Sequence, residues 1–398
     1  MPPNPVKVMI LTADAGFGHR SAAKAVSEAL RLRYKEAVEP VVVNPLDSKL
    51  APILLRESQA DYDRLVNQLP ELYKLGYDAS SNLLPTRVIE NSLAVLLFEA
   101  VREAYSIHRP DVVLTTYPMY QPSISLLYRT KRSHIPVFTV VTDLATVHRV
   151  WFHRKVDGCL VPTSIVAEMA VNNQVPTEKV IITGIPVYPD ILLETRTPAA
   201  IRAELDWQQD LITILAVGSR RSTRMMEMLN VVNHYGSPLQ LVVVAGKNEE
   251  LYQNLKKVDW HIPVQLLDYV VNMPALMKAS DLVMCKAGGL IVTETLACGL
   301  PMLLTDVIPG QETGNAEYVK AAQAGMVIDS PIELLESLHH LFTEDHAMLR
   351  QYAANSRAIG KPDSACKVAD ILWQAANRRP LKTPCKSPES PPVTGKLN

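Results

Sequence analysis

At 398 residues the chain exceeds what one hydrophobic core usually serves, so two domains of under about two hundred residues each are expected. Its 40 Lys and Arg against 41 Asp and Glu leave a net charge of −1, which excludes a global basic field for recruiting nucleic acid; electrostatic attraction must be local. The 5 cysteines are scattered, with no C-x-x-C pair, so neither a disulfide framework nor a zinc site is expected, and a reducing cytoplasm suits them.

The start, MPPNPVKVMILTA, lacks the charged region and long apolar core of a signal peptide. The strongly apolar run LAVLLF is far short of the roughly 20 residues a spanning helix needs. A soluble or membrane-peripheral protein is the expectation.

In chain order, VKVMILT, PVVV, DVVLTT, PVFTVVT, GCLVP and KVIIT read as buried strands of a first sheet. LITILAVG, LQLVVVAG, PVQLL, DLVMCKAGG and PMLLTD read as a second. Helical patterns alternate with them, which predicts α/β architecture with two parallel sheets. The prolines of ITGIPVYPDILLETRTP mark the join. Residues 1–190 are expected as one Rossmann-like domain and 191–378 as another. Residues 379–398, rich in Pro, Ser and Lys, are expected as a disordered tail.

The first turn, ADAGFGHRSAAKAV, sets Gly16, Gly18 and His19 between strand and helix. Glycines let a ligand approach the free amides of a helix start. In doubly wound sheets ligands bind outside the carboxyl ends of strands, where His19 falls. There a neutral imidazole could take a proton from a hydroxyl; a helix-capping histidine is the plainer alternative.

VVTDLATVHRVWFHRK places Asp143, His148, Trp151 and His153 at another strand end. Their spacing matches no tight metal pattern, so acid–base or positioning roles are favoured. Trp151 and Phe152 among cations suit a membrane interface, or buried packing. Residues 50–105 hold apolar clusters with few strand signals, expected in part as a membrane-contacting surface or as ordinary helix packing.

In the second half, KAGGLIVTETLACGLP places Lys286, Ala287, Gly288 and Gly289 at a helix start whose amides and dipole favour a diphosphate. Glu294, one and a half turns in, can accept bonds from ribose hydroxyls. Gln311, Glu312 and Asn315 of PGQETGN can read sugar hydroxyls. Lys286 or a nearby arginine would offset the charge of a departing diphosphate.

The pattern KAGG-x4-E-x-L-x-x-GLP followed by PGQE-x-x-NA resembles the C-terminal domain of the GT-B glycosyltransferases. These include monogalactosyldiacylglycerol synthases, processive diacylglycerol glucosyltransferases and lipid II-forming N-acetylglucosaminyltransferases. ILTADAGFGHRSAA and VVTDLATVHRVWFH resemble the first of these branches. The likeness spans roughly residues 6 to 375.

It implies two Rossmann-like domains facing across a cleft and a UDP-hexose donor, galactose or glucose, held by the second. The first would present diacylglycerol for inverting transfer. Glu294 would bind the ribose, and Gln311, Glu312 and Asn315 the hexose. Tyr269, Val270 and Met273 would frame the uracil. His19 and Asp143 would form the catalytic centre, with Gly16, Gly18, His148 and Trp151 on the acceptor side.

One departure stands out. A glycine-rich turn is expected after the first strand of the second domain, yet the chain has Gly218, Ser219, Arg220 and Arg221. No bound metal or other cofactor is implied. The place implied is the cytoplasmic face of the cell membrane, held peripherally. A polyprenyl or peptidoglycan-lipid acceptor, a UDP-N-acetylglucosamine 2-epimerase and a non-catalytic nucleotide-sugar binder are the alternatives.

Overall fold

The computed structural model describes residues 5–14, 17–53, 55–56, 92, 94–131, 134–219, 222–309 and 312–377. Two six-stranded parallel sheets organise it. The first holds β1 (Val6–Leu11), β2 (Val38–Val43), β3 (Val112–Thr115), β4 (Val137–Val140), β5 (Gly158–Val161) and β6 (Val180–Ile182), ordered β2-β1-β3-β4-β5-β6. The second holds β7 (Ile212–Val217), β8 (Leu239–Val244), β9 (Val264–Leu267), β10 (Leu282–Lys286), β11 (Met302–Asp306) and β12 (Gly325–Val327), ordered β12-β11-β10-β7-β8-β9.

The strand order reverses at β1/β3 in one sheet and at β7/β10 in the other. Such reversals splay the following loops apart and open a crevice at the carboxyl ends of those strands. β3, β4, β5 and β8 are buried along their whole length, as expected for strands covered by helices on both faces. All eleven strands read from the sequence are present. β12 adds a twelfth: its three residues gave no run to detect, and pairing with β11 through Met302↔Gly325 makes it a strand.

Four helices matter for the site: α1 (Phe17–Tyr34), α2 (Gly289–Ala297), α3 (Thr313–Ala321) and α4 (Ser364–Asn377). The α4 helix corrects the expectation that 191–378 forms one unit. Its Ala365, Val368, Ala369 and Leu372 are buried with Val8, Ile10, Ala23, Val26 and Leu30 of the first lobe. Tyr34 stacks on Trp373 with ring centroids 4.2 Å apart, and the Tyr34 hydroxyl donates to Asp370 at 2.6 Å, which also pairs with Arg33. Burial of Leu372 alone contributes about 1.5–3 kcal/mol. The chain thus crosses between lobes twice, and nothing in the α4 sequence says which lobe its apolar face will cover.

The described residues include no helix long and apolar enough to span a membrane. Most of the apolar stretch at 50–105, the tail at 379–398, and Gly16, Arg220, Arg221 and Gln311 lie outside the described residues.

Candidate active site

Two threonines at adjacent strand ends set the first half of the site. Thr116, just past β3, contacts the Thr12 hydroxyl at 3.1 Å and donates to the His19 carbonyl at 3.0 Å, which ties the start of α1 to the sheet. The His19 ring lies between Tyr117 (centroids 5.2 Å) and Trp151 (5.8 Å), and its Nδ1 is 3.1 Å from the Thr142 hydroxyl. Burial lowers this imidazole to about 4, so it is neutral at pH 7. A Cβ on Gly18 would meet nothing within 4 Å, which leaves the space beside the helix start open.

Thr142 begins the loop after β4, and this loop joins the lobes. Its carbonyl oxygen stands 2.7 Å from where a Cβ on Gly289 would be, and Asp143 Oδ1 3.8 Å from the same point. The Leu144 amide donates to Asn315 Oδ1 at 3.0 Å, and the Leu144 side chain is buried in the second lobe's core. Thr146 abuts Gly314, with its amide nitrogen 2.6 Å from that residue's Cβ position. Glycine at 289 and 314 is therefore what allows the loop to seat.

The Asp143 carboxyl is pushed up to about 7, first by burial and then by the Glu312 carboxylate, against the opposing Lys286 ammonium. Lys286 pairs with Glu312, which is 4% exposed and also accepts the Ile308 amide at 3.2 Å. A register shift between β10 and β11 falls between Cys285 and Lys286, and such irregularities re-aim side chains at sheet ends. Gly288 caps α2 in an extended conformation, leaving the first-turn amides without intrahelical partners. Burial raises the Glu294 carboxyl on α2 to about 7.

The structure brings His19, Asp143, Lys286, Ala287, Gly288, Gly289, Glu312 and Asn315 to one place. Asn315, read as a sugar ligand, spends its amide on the Ala287 carbonyl (3.0 Å) and the Leu144 amide. It braces the lobes. Gly218 sits in close packing, since a Cβ there would lie 2.8 Å from a Leu251 methyl and 3.2 Å from the Val244 carbonyl oxygen. Ser219 contacts the Ser222 hydroxyl at 3.1 Å and its carbonyl accepts from Asn248. Tyr269 is 58% exposed under the Lys247 ammonium, while Val270 and Met273 pack on the second core.

Trp151 (3% exposed) and Phe152 (4%) are buried, which corrects the membrane-interface reading of this pair. His148 caps the turn Arg149–Trp151 by accepting the Val150 amide at 3.1 Å. Thr142, Thr146 and Gly314 were missed in the sequence. A glycine in the first turn of α3, where Ala is about 1 kcal/mol better, was the available signal.

Two Rossmann-like lobes, each built on a six-stranded parallel sheet, that meet through the β4 loop and a helix start form the GT-B architecture. A profile for monogalactosyldiacylglycerol (MGDG) synthase matches residues 19–187, and one for the glycosyltransferase family 28 C-terminal domain matches 213–369. The chloroplastic monogalactosyldiacylglycerol synthase of Spinacia oleracea is 30% identical over 392 residues, covering 95% of this chain and 74% of the spinach protein. Monogalactosyldiacylglycerol synthase 2 of Arabidopsis thaliana is 28% identical, over 94% of this chain and 82% of its own. The chain belongs to the monogalactosyldiacylglycerol synthase family. Among solved structures, Acinetobacter baumannii MurG superposes with TM-score 0.62 at 17% identity, over 93% of this chain and all of that one (100%). S. aureus MnaA with UDP gives 0.62 and 17%, over 95% and 99%. The fold is shared with both.

If Glu294 receives ribose hydroxyls, Glu294→Gln is expected to raise the donor KM by about 10–100-fold, the worth of a hydrogen bond to a charged acceptor. With the carboxyl near 7, protonation below that pH weakens the acceptor. Wild-type donor KM is therefore expected to climb as pH falls from 8 to 6, while the Gln variant stays high and flat in steady-state assays.

Proposed function

We propose that the enzyme moves a hexose, galactose or glucose, from a UDP-sugar to the free hydroxyl of diacylglycerol, giving a β-glycoside by direct displacement. One observation carries this reading: the loop holding Asp143 is seated on the first turn of α2. A carboxyl near 7 thereby faces a ready-made anion site across the lobes. The spinach and Arabidopsis relatives, named as galactolipid synthases, support the acceptor class.

In the reaction, the acceptor oxygen attacks the anomeric carbon and its proton passes to Asp143. The bond from that carbon to the diphosphate oxygen breaks, and UDP leaves with the electron pair. A base whose pKa lies near the working pH serves this transfer best, which favours Asp143 over His19. The neutral His19, its Nδ1 engaged with Thr142, is left to orient the acceptor hydroxyl through Nε2. Departing UDP is stabilised by the α2 amides and Lys286.

The acceptor lives in a bilayer, so the enzyme must reach one. Val95 and Leu96 are exposed apolar residues, and a cavity of about 480 Å³ beside Val95 is lined by Arg129, Arg154 and Lys155. We assign this face to peripheral contact with the cytoplasmic side of the membrane. A Val95→Glu/Leu96→Glu variant is expected to lose most flotation with diacylglycerol-containing liposomes; unchanged flotation would remove the assignment.

Products from labelled UDP-galactose and UDP-glucose, each supplied with diacylglycerol and separated by thin-layer chromatography, test the reaction itself. A labelled glycosyldiacylglycerol from one donor is expected. Label released only as free sugar, or none at all, would defeat the reading.

A further inference from the structure

Lys286 is placed between two anion sites. Its ammonium pairs with Glu312, a buried carboxylate whose other oxygen is held by the Ile308 amide. The same Nζ lies 2.6 Å from where a Cβ on Gly288 would be, at the very start of α2. Glycine at 288 thus leaves room for the ammonium to reach the helix-start amides, where a diphosphate would lie. The Asp143 carboxyl feels both charges, raised by the Glu312 carboxylate and lowered by the Lys286 ammonium, while the ammonium itself is paired with Glu312.

We propose that Lys286 changes partner during each catalytic cycle: the donor's diphosphate draws it from Glu312, the hexose hydroxyls take over the released carboxylate, and transfer of the sugar returns the ammonium to Glu312 and loosens UDP. This rests on the donor site proposed for this chain. A buried carboxylate stripped of its counter-charge is costly unless new hydrogen bonds replace it. UDP-hexose brings those bonds. UDP alone does not, so the pocket discriminates against its own product, and the ion pair acts as a release spring rather than a fixed brace.

Donor and product should respond to loss of the carboxylate with opposite signs. Calorimetric binding of UDP and of the UDP-hexose that turns over is measured on the full chain, wild type and Glu312→Gln. Neutralising Glu312 frees Lys286 for phosphate, so UDP is expected to bind about tenfold tighter. The UDP-hexose, losing its charged acceptor, is expected to bind about tenfold more weakly. The inhibition constant of product UDP should fall in step with its Kd.

Glu312→Gln that binds UDP no tighter than wild type, with an unchanged thermal midpoint, overturns the exchange. Should that variant fail to fold, ¹⁵Nζ-lysine NMR on the wild-type protein decides. The Lys286 signal is expected to move on adding UDP-hexose, and a stationary signal in a protein that binds it overturns the proposal. A wild-type chain that binds neither UDP nor UDP-hexose would instead refute the donor site, and with it this inference.

Discussion

Replacing Asp143 with Asn is expected to lower the rate of sugar transfer at saturating donor by about 10²–10⁴-fold, the usual worth of a positioned general base. The cause lies in the loop after β4. Its backbone is pinned by Asn315 and its Leu144 carbonyl accepts from Thr163 at 2.8 Å, so the segment that carries the carboxyl is held against the second lobe. Burial and the Glu312 carboxylate hold Asp143 near 7. The base form is the ionised one, and activity must fall as pH drops through that value. Wild-type kcat is expected to lose about tenfold per pH unit below about 6. The Asp143→Asn variant, with no group to protonate there, should show a flat acidic limb. His19, lowered to about 4, would give its limb two to three units further down, so the position of the limb separates the two assignments. A wild-type limb near 4, unaltered in the Asp143→Asn variant, would transfer the role to His19.

The second large effect is expected from a single methyl group. Gly289→Ala puts a Cβ 2.7 Å from the Thr142 carbonyl oxygen, and both partners are backbone. Neither steps aside easily: Thr142 is held by the strand behind it, and residue 289 opens a helix anchored by its buried Val292, Thr293, Thr295 and Leu296. The lobes must separate or the loop must tilt, and a displacement on the order of 1 Å at the reacting groups costs about 10²-fold in rate. Gly288→Ala is the control. Its Cβ meets side-chain atoms, the far end of Lys286 at 2.6 Å and Glu312 Oε1 at 3.5 Å, rather than the backbone of the other lobe, so the loss of kcat should be smaller even where donor binding suffers. Single-turnover rates for the two variants, with circular dichroism to confirm folding, make the comparison. Equal losses would mean that the loop is not wedged against α2.

The fold was largely legible in the sequence because parallel strands covered on both faces must be apolar along their length. Runs such as LQLVVV and DVVLTT announce themselves for that reason. What escaped depends on partners remote in the chain. β12 is three residues long, and α4 has an apolar face whose destination, the Val8–Leu30 core, lies more than three hundred positions away. The site divides the same way. Lys286 ends β10 and Gly288 and Glu294 come just after it, so their place at a helix start could be read locally. Thr142 and Gly289 are far apart in sequence, and nothing local says that one would press on the other.

Asn315 and Trp151 show the other limit. Their side chains fit ligand-binding or membrane roles by type, yet burial and committed hydrogen bonds make one a brace and the other a wall for His19. Residue type fixes what a side chain can do; exposure, set by the whole fold, decides which of those things it does.

A crystal structure of the full chain with the intact UDP-hexose bound is the most direct measurement. The diphosphate is expected on the amides of Gly289 and its neighbours, the ribose at Glu294, and the hexose between Glu312 and the Asp143 loop with its anomeric carbon open toward His19. A nucleotide seated elsewhere, or a sugar pointing away from the β4 loop, would contradict the proposed chemistry.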